Sequence, residues 1–135
     1  MGQKQAFDVV IVGTGIVGIA MAVSLAQRTP YKIALIGPRP KSSEDGHRVS
    51  AINHGIETML IQLGVWSQVA SQSASYDQMK IYAPTGQQPS LHLRASDHQV
   101  KNLGTIVNHY ALRQALAERF DALSAGFWLE EQVQS

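Results

Sequence analysis

Gly13, Gly15 and Gly18, in the order Gly13-Thr14-Gly15-Ile16-Val17-Gly18, separate a β-branched run, Val9-Val10-Ile11-Val12, from a run of helix formers that includes Ala20, Met21, Ala22, Leu25 and Ala26. A glycine turn at such a junction can hold a phosphate group. The first glycine permits the tight turn, the second lets the backbone approach a pyrophosphate, and the third lets helix and strand pack closely. The anion then meets the free N–H groups and the positive end of the helix dipole. Gly13, Gly15, Ile16, Val17 and Gly18 are therefore the candidate cofactor-binding residues, and an adenine dinucleotide is the ligand class. The alternative is a turn whose glycines serve packing alone.

The end of the second strand bears on which dinucleotide it is. An acidic side chain there binds the adenosine ribose hydroxyls of NAD or FAD, and here the position is Gly37. Arg39 follows two residues later and suits the 2′-phosphate of NADP; it reads equally as a solvated loop arginine. Glu44 and Asp45 could reach the ribose only if their loop folds back.

The elements that position these residues follow from pattern. Phe7 to Val12 reads as a strand buried on both faces of a parallel sheet. A helix spans about Ile16 to Arg28 and ends before Thr29-Pro30, and Lys32 to Ile36 forms a second strand, completing a βαβ unit. Residues 37–47 form an exposed loop. A helix over about Asn53 to Leu63 stops at Gly64, and a short helix covers Trp66 to Ala70. Met79 to Tyr82 and Ser90 to Leu93 flank Pro84-Thr85-Gly86 as a hairpin. Leu103 to Val107 is a strand, and Asn108 caps a helix to about Leu123. Phe127-Trp128-Leu129 reads as a strand whose partners lie beyond residue 135. The fold class is α/β, a Rossmann-like unit with a βαβ start and a small antiparallel element, in a single domain over residues 1–135.

Composition limits the alternatives. The 135 residues are 44% hydrophobic and 16% charged, with a formal net charge of +1, enough apolar material for one core. Basic residues are scattered among acids, which argues against a nucleic acid partner. With no cysteine, disulfides and thiolate metal sites are excluded, and a reducing, cytoplasmic setting is expected. His47, His54, His92, His98 and His109 have no ligand-like spacing, so no metal is expected. No nucleophile elbow or P-loop motif occurs, and no catalytic residue is identified. The apolar stretch 9–26 is long enough for a membrane span, but its change from strand to helix formers at the glycines favours strand, turn and helix. Trp66 and Trp128 read as packing residues.

Further along, Arg48-Val49-Ser50-Ala51-Ile52-Asn53, Leu63-Gly64-Val65-Trp66 and Leu103-Gly104-Thr105-Ile106-Val107-Asn108 follow the glycine turn in order. Together these segments resemble the FAD-dependent aromatic hydroxylases of ubiquinone biosynthesis, in the monooxygenase group that includes para-hydroxybenzoate hydroxylase. The likeness covers residues from about 7 to 123. It implies FAD as cofactor, NAD(P)H as electron donor, dioxygen as co-substrate and an aromatic, polyprenyl phenol as substrate, with peripheral association at a membrane or in a multiprotein assembly compatible with that chemistry. By the same resemblance Gly13, Gly15 and Gly18 cradle the pyrophosphate and Arg48 approaches the FAD phosphates or the flavin; Arg48 could instead pair with Glu44 or Asp45. His109 stands where many relatives have an arginine near the adenosine half.

Two departures stand out. Gly37 replaces the glutamate of the family pattern, and losing a charged hydrogen bond of about 1.5–3 kcal/mol weakens affinity roughly tenfold or more; restoring a glutamate there is expected to tighten FAD. The family also needs a considerably longer chain, so residues 1–135 are expected to be a truncated FAD-binding portion, inactive alone. Two other readings stay open, an NADP-dependent oxidoreductase fragment and a catalytically inactive dinucleotide-binding module.

Overall fold

The computed structural model describes residues 5–41 and 47–130. The β-branched run forms strand β1 (Val9–Val12), and the alanine-rich segment forms helix α1 (Ile16–Arg28), which stops where Thr29 turns extended ahead of Pro30. Strand β2 (Ile33–Ile36) runs parallel to β1, with Val9 opposite Ile33 and Val12 opposite Ile36. The apolar stretch 9–26 is thus strand, turn and helix. Among the described residues no helix is long and apolar enough to cross a membrane.

Strand β3 (Val49–Ile52) leads into helix α2 (His54–Leu63), short helix α3 (Trp66–Ala70) and strand β4 (Ala74–Tyr76). Strands β5 (Gln78–Tyr82) and β6 (Pro89–Arg94) form the expected hairpin, with Met79 opposite Leu93. Strand β7 (Gly104–Asn108), helix α4 (His109–Asp121) and strand β8 (Gly126–Leu129) follow. Asn108 caps α4 as anticipated, its Oδ1 accepting the Ala111 N–H at 2.9 Å, and the helix ends two residues earlier than its apolar pattern suggests.

The strands make a parallel sheet in the order β1-β2-β8, an antiparallel sheet in the order β3-β7-β4, and the β5-β6 ribbon. Helices α1, α2 and α4 fuse the first two sheets through one apolar cluster that includes Ile19, Val23, Leu60, Val107, Leu116 and Phe120. Polar side chains tie the same helices together at the end of α2. The Leu63 carbonyl, an orphan of the last turn, accepts Gln27 Nε2 from α1 at 3.0 Å and Arg119 Nε from α4 at 3.1 Å.

Three sequence expectations change. Strand β1 is not buried on both faces: Val9 and Ile11 pack on the core, whereas Val10 and Val12 are 53% and 64% exposed. The strand lies at the edge of its sheet, and its alternate side chains point away from the helices. Residues 127–129 already find a partner within the chain, because β8 pairs parallel with β2, Leu35 opposite Trp128. Strands β3 and β4 were not anticipated at all; both exist by pairing antiparallel with β7.

Candidate functional site

The glycine turn lies at the carboxyl end of β1, the side of a parallel sheet where such folds bind ligands. Its first glycine, Gly13, has φ of +114°, a conformation that side-chain-bearing residues rarely adopt. The Gly13 N–H donates to Ile36 O at 2.9 Å, which fixes the turn to the end of β2. Gly15 forms the N-cap of α1 in extended geometry; no side chain caps the helix and its first turn has no acidic residue. A Cβ at Gly15 would meet no atom within 4 Å. The space at Gly15 is therefore open to an anion, and the first turn of the helix adds no negative charge of its own.

Gly18 is different in kind. A Cβ there would lie 2.0 Å from the Gly13 carbonyl oxygen, so this glycine serves the contact between helix and turn. The opening at Gly15 leads into a cleft of about 430 Å³ lined mainly by apolar groups. Gly15, Ile16 and Val17 form one wall, Ser50, Ala51 and Ile52 of β3 another, and Met59 and Leu60 of α2 with His109 and Leu112 of α4 complete it. The volume lies within the range of small-molecule sites. An uncapped helix terminus, a turn without side chains and an apolar cleft fit the pyrophosphate and one flat, apolar portion of a dinucleotide.

The two arginines singled out from sequence lie differently from one another. The Arg48 carbonyl oxygen accepts the His109 N–H at 2.9 Å, so Arg48 sits at the start of α4 beside a cleft-lining residue. Its suggested pairing with Glu44 or Asp45 lies outside the described residues. Arg39 has partners within the chain. Two of its guanidinium nitrogens bond Asp121 at 2.7 and 3.1 Å, a third bonds Glu130 at 3.1 Å, and the group stacks on Trp128 with Cζ 4.5 Å from the ring centroid. The bond to Asp121 is the main reason its pKa is raised above an already high value. The group expected to receive a 2′-phosphate thus already has two carboxylates. Trp128 packs edge-on against Phe120 and donates its indole N–H to Gly37 O at 2.9 Å, in keeping with its reading as a packing residue.

Two residues escaped the sequence reading. Thr14 is 5% exposed and donates its hydroxyl to Pro38 O at 2.6 Å. Arg113, 8% exposed on α4, donates Nε and Nη2 to the Thr14 carbonyl at 3.2 and 2.9 Å. A buried guanidinium therefore clamps the backbone of the glycine turn. The signal was present: Arg113 stands three residues before Leu116 and seven before Phe120, in line with the buried stripe of α4. The expected benefit of Gly37→Glu is set against a steric cost. Gly37 has φ of +142°, a strained conformation for any side chain, and a Cβ there would lie 3.0 Å from both Cγ2 and Oγ1 of Thr14, so the Thr14 side chain must give by a few tenths of an ångström to admit one. Among the described residues no three histidine or acidic side chains gather as a metal site.

No family profile matches the chain. Individual relatives do. It is 28% identical over 128 residues to the mitochondrial ubiquinone biosynthesis monooxygenase COQ6 of Homo sapiens, covering 87% of this chain. To the 3-demethoxyubiquinol 3-hydroxylase of Escherichia coli it is 31% identical over 126 residues, covering 88% of this chain. Over most of its length the chain matches the ubiquinone-biosynthesis hydroxylase family. It corresponds to the N-terminal portion of that family and spans 27% and 31% of the lengths of those two relatives. Among solved structures, PqsL of Pseudomonas aeruginosa, described as a probable FAD-dependent monooxygenase, has the same fold over 95% of this chain and 35% of its own, with a TM-score of 0.69 at 18% identity.

Proposed function

We propose that residues 1–135 form the N-terminal FAD-binding portion of a flavin-dependent hydroxylase that acts on an aromatic ubiquinone precursor with NAD(P)H and dioxygen. The observation that carries this reading is the uncapped N-terminus of α1 at Gly15, opening into the apolar cleft between α1, β3 and α2. The N–H groups of that first turn hold the pyrophosphate, Gly13 gives the turn its shape, and Gly18 brings helix and strand together. Ile16, Val17, Ile52 and Met59 exclude water from the portion of the cofactor that enters the cleft, and Arg48 lies near the rim to meet phosphate or flavin oxygens. Bound FAD supplies the redox and oxygen chemistry, and this chain supplies its position and surroundings. The NADP-dependent alternative loses its main support because Arg39 is engaged by Asp121 and Glu130.

Fluorescence titration of the chain with FAD, with ADP as competitor, tests this reading. FAD is expected to bind and ADP to displace it, whereas Gly15→Ala weakens both at least tenfold because its methyl group occupies the anion's space. Its thermal midpoint should fall by about 3 °C or less, since alanine at an N-cap costs up to about 1 kcal/mol. Tight NADPH binding without FAD would overturn the proposal.

A further inference from the structure

A carboxylate at the end of the second strand is the usual reader of the adenosine ribose hydroxyls. In this chain that place is closed by two residues from different elements. Gly37, directly after β2, has its N–H bonded to Leu129 O at 3.0 Å and its carbonyl oxygen bonded to Trp128 Nε1 at 2.9 Å. Held from both sides at φ of +142°, it is in a conformation that favours glycine. Thr14, in the glycine turn, fills the space where its side chain would begin, with Cγ2 and Oγ1 each 3.0 Å from the ideal Cβ position. Thr14 cannot easily withdraw, because Pro38 O holds its hydroxyl at 2.6 Å and Arg113 holds its carbonyl. The nearby carboxylates of Asp121 and Glu130 are bound to Arg39.

We infer that Thr14 and Gly37 form a coupled specificity pair. The threonine side chain and the bare glycine replace the ribose-binding carboxylate, so that the cleft holds an adenine dinucleotide by its pyrophosphate and does not read the ribose 2′-hydroxyl. This rests on the dinucleotide reading above and adds to it which part of the ligand is recognised. A carboxylate can be restored only when both positions change together.

Two measurements test the pair. In the first, isothermal titration compares ADP with 2′-deoxy-ADP on the unaltered chain. Dissociation constants within about twofold of each other are expected, whereas an ADP preference of fivefold or more overturns the inference and leaves the dinucleotide reading standing. If neither nucleotide binds, both fail together. The double variant Thr14→Ala/Gly37→Glu should gain an ADP preference of about tenfold, the ratio for one charged hydrogen bond, while Gly37→Glu alone should not.

The second measurement needs no ligand. The fall in thermal midpoint caused by Gly37→Ala is expected to shrink by about half in the Thr14→Ala background, because the clash is relieved while the strain at φ of +142° remains. Strictly additive midpoint shifts would show that the two residues do not act as a pair.

Discussion

Gly18→Ala sets two physical effects of opposite sign against each other. Alanine is the better helix former by up to about 1 kcal/mol, and Gly18 lies in the first turn of α1, so propensity alone predicts a more stable protein. The packing predicts the reverse. The new methyl would stand 2.0 Å from Gly13 O and 3.1 Å from Gly13 C, whereas carbon and oxygen normally approach no closer than about 3.3 Å. Either the helix or the turn must move by more than 1 Å, by that comparison. The turn is held by Gly13 N–H on Ile36 O, Thr14 Oγ1 on Pro38 O and Arg113 on Thr14 O. The helix is held by Ile19, Ala22 and Val23, which are 0% exposed. Overpacking of this kind costs about 1–3 kcal/mol and occasionally more, and contacts with backbone belong at the upper end. Net of propensity, a loss of about 2 kcal/mol lowers the thermal midpoint by about 6–8 °C for a chain of this size. Circular dichroism melting with urea titration measures it, with Gly15→Ala as the control whose methyl meets nothing. A midpoint equal to or above that of the unaltered chain would refute the close-contact argument.

Arg113→Met should lower stability by about 2–3 kcal/mol, because a buried carbonyl loses a charged donor, and should weaken ADP more than adenosine by loosening the pyrophosphate turn; equal losses for the two ligands would count against a role at the turn. Arg113→Lys keeps the charge but not the planar fork and should recover part of the ADP affinity. Arg39→Gln should cost less than about 1 kcal/mol, since the ion pair is 40% and 46% exposed, while shifting Trp128 fluorescence by removing the stacked cation. It should leave NADPH binding unchanged, and a loss of NADPH affinity would restore Arg39 to the cofactor site.

The βαβ start, the glycine turn, the Asn108 cap and the β5-β6 hairpin were legible in the sequence because each depends on neighbours within about one element. What escaped depends on contacts across the chain. Strands β3 and β4 have four and three residues, too few for a period to declare itself, and become strands by lying on either side of β7. The exposure of Val10 and Val12 follows from what covers the sheet, which a strand's own residues do not record. Arg39 was readable as a basic residue in the right loop, but Asp121 and Glu130 approach it from the far end of the sequence. The contact between Thr14 and Gly37 was hidden in the same way, and it turns an apparent omission at the ribose position into a substitution of one packing arrangement for another.

The pairing of β8 with β2 has a bearing on how the chain folds. Ile33 and Gly126 are neighbours in the parallel sheet, yet about ninety residues separate them, and the antiparallel sheet and the β5-β6 ribbon are nested in that interval. The loop must close before its contacts stabilise it, and so long-range parallel pairing is slow. During synthesis β1, α1 and β2 emerge first and wait, with one edge of β2 unfilled, until Gly126 to Leu129 have been made. The nested antiparallel part is therefore the region expected to gain order first, and the glycine turn, clamped by Arg113 from α4, takes its final shape last.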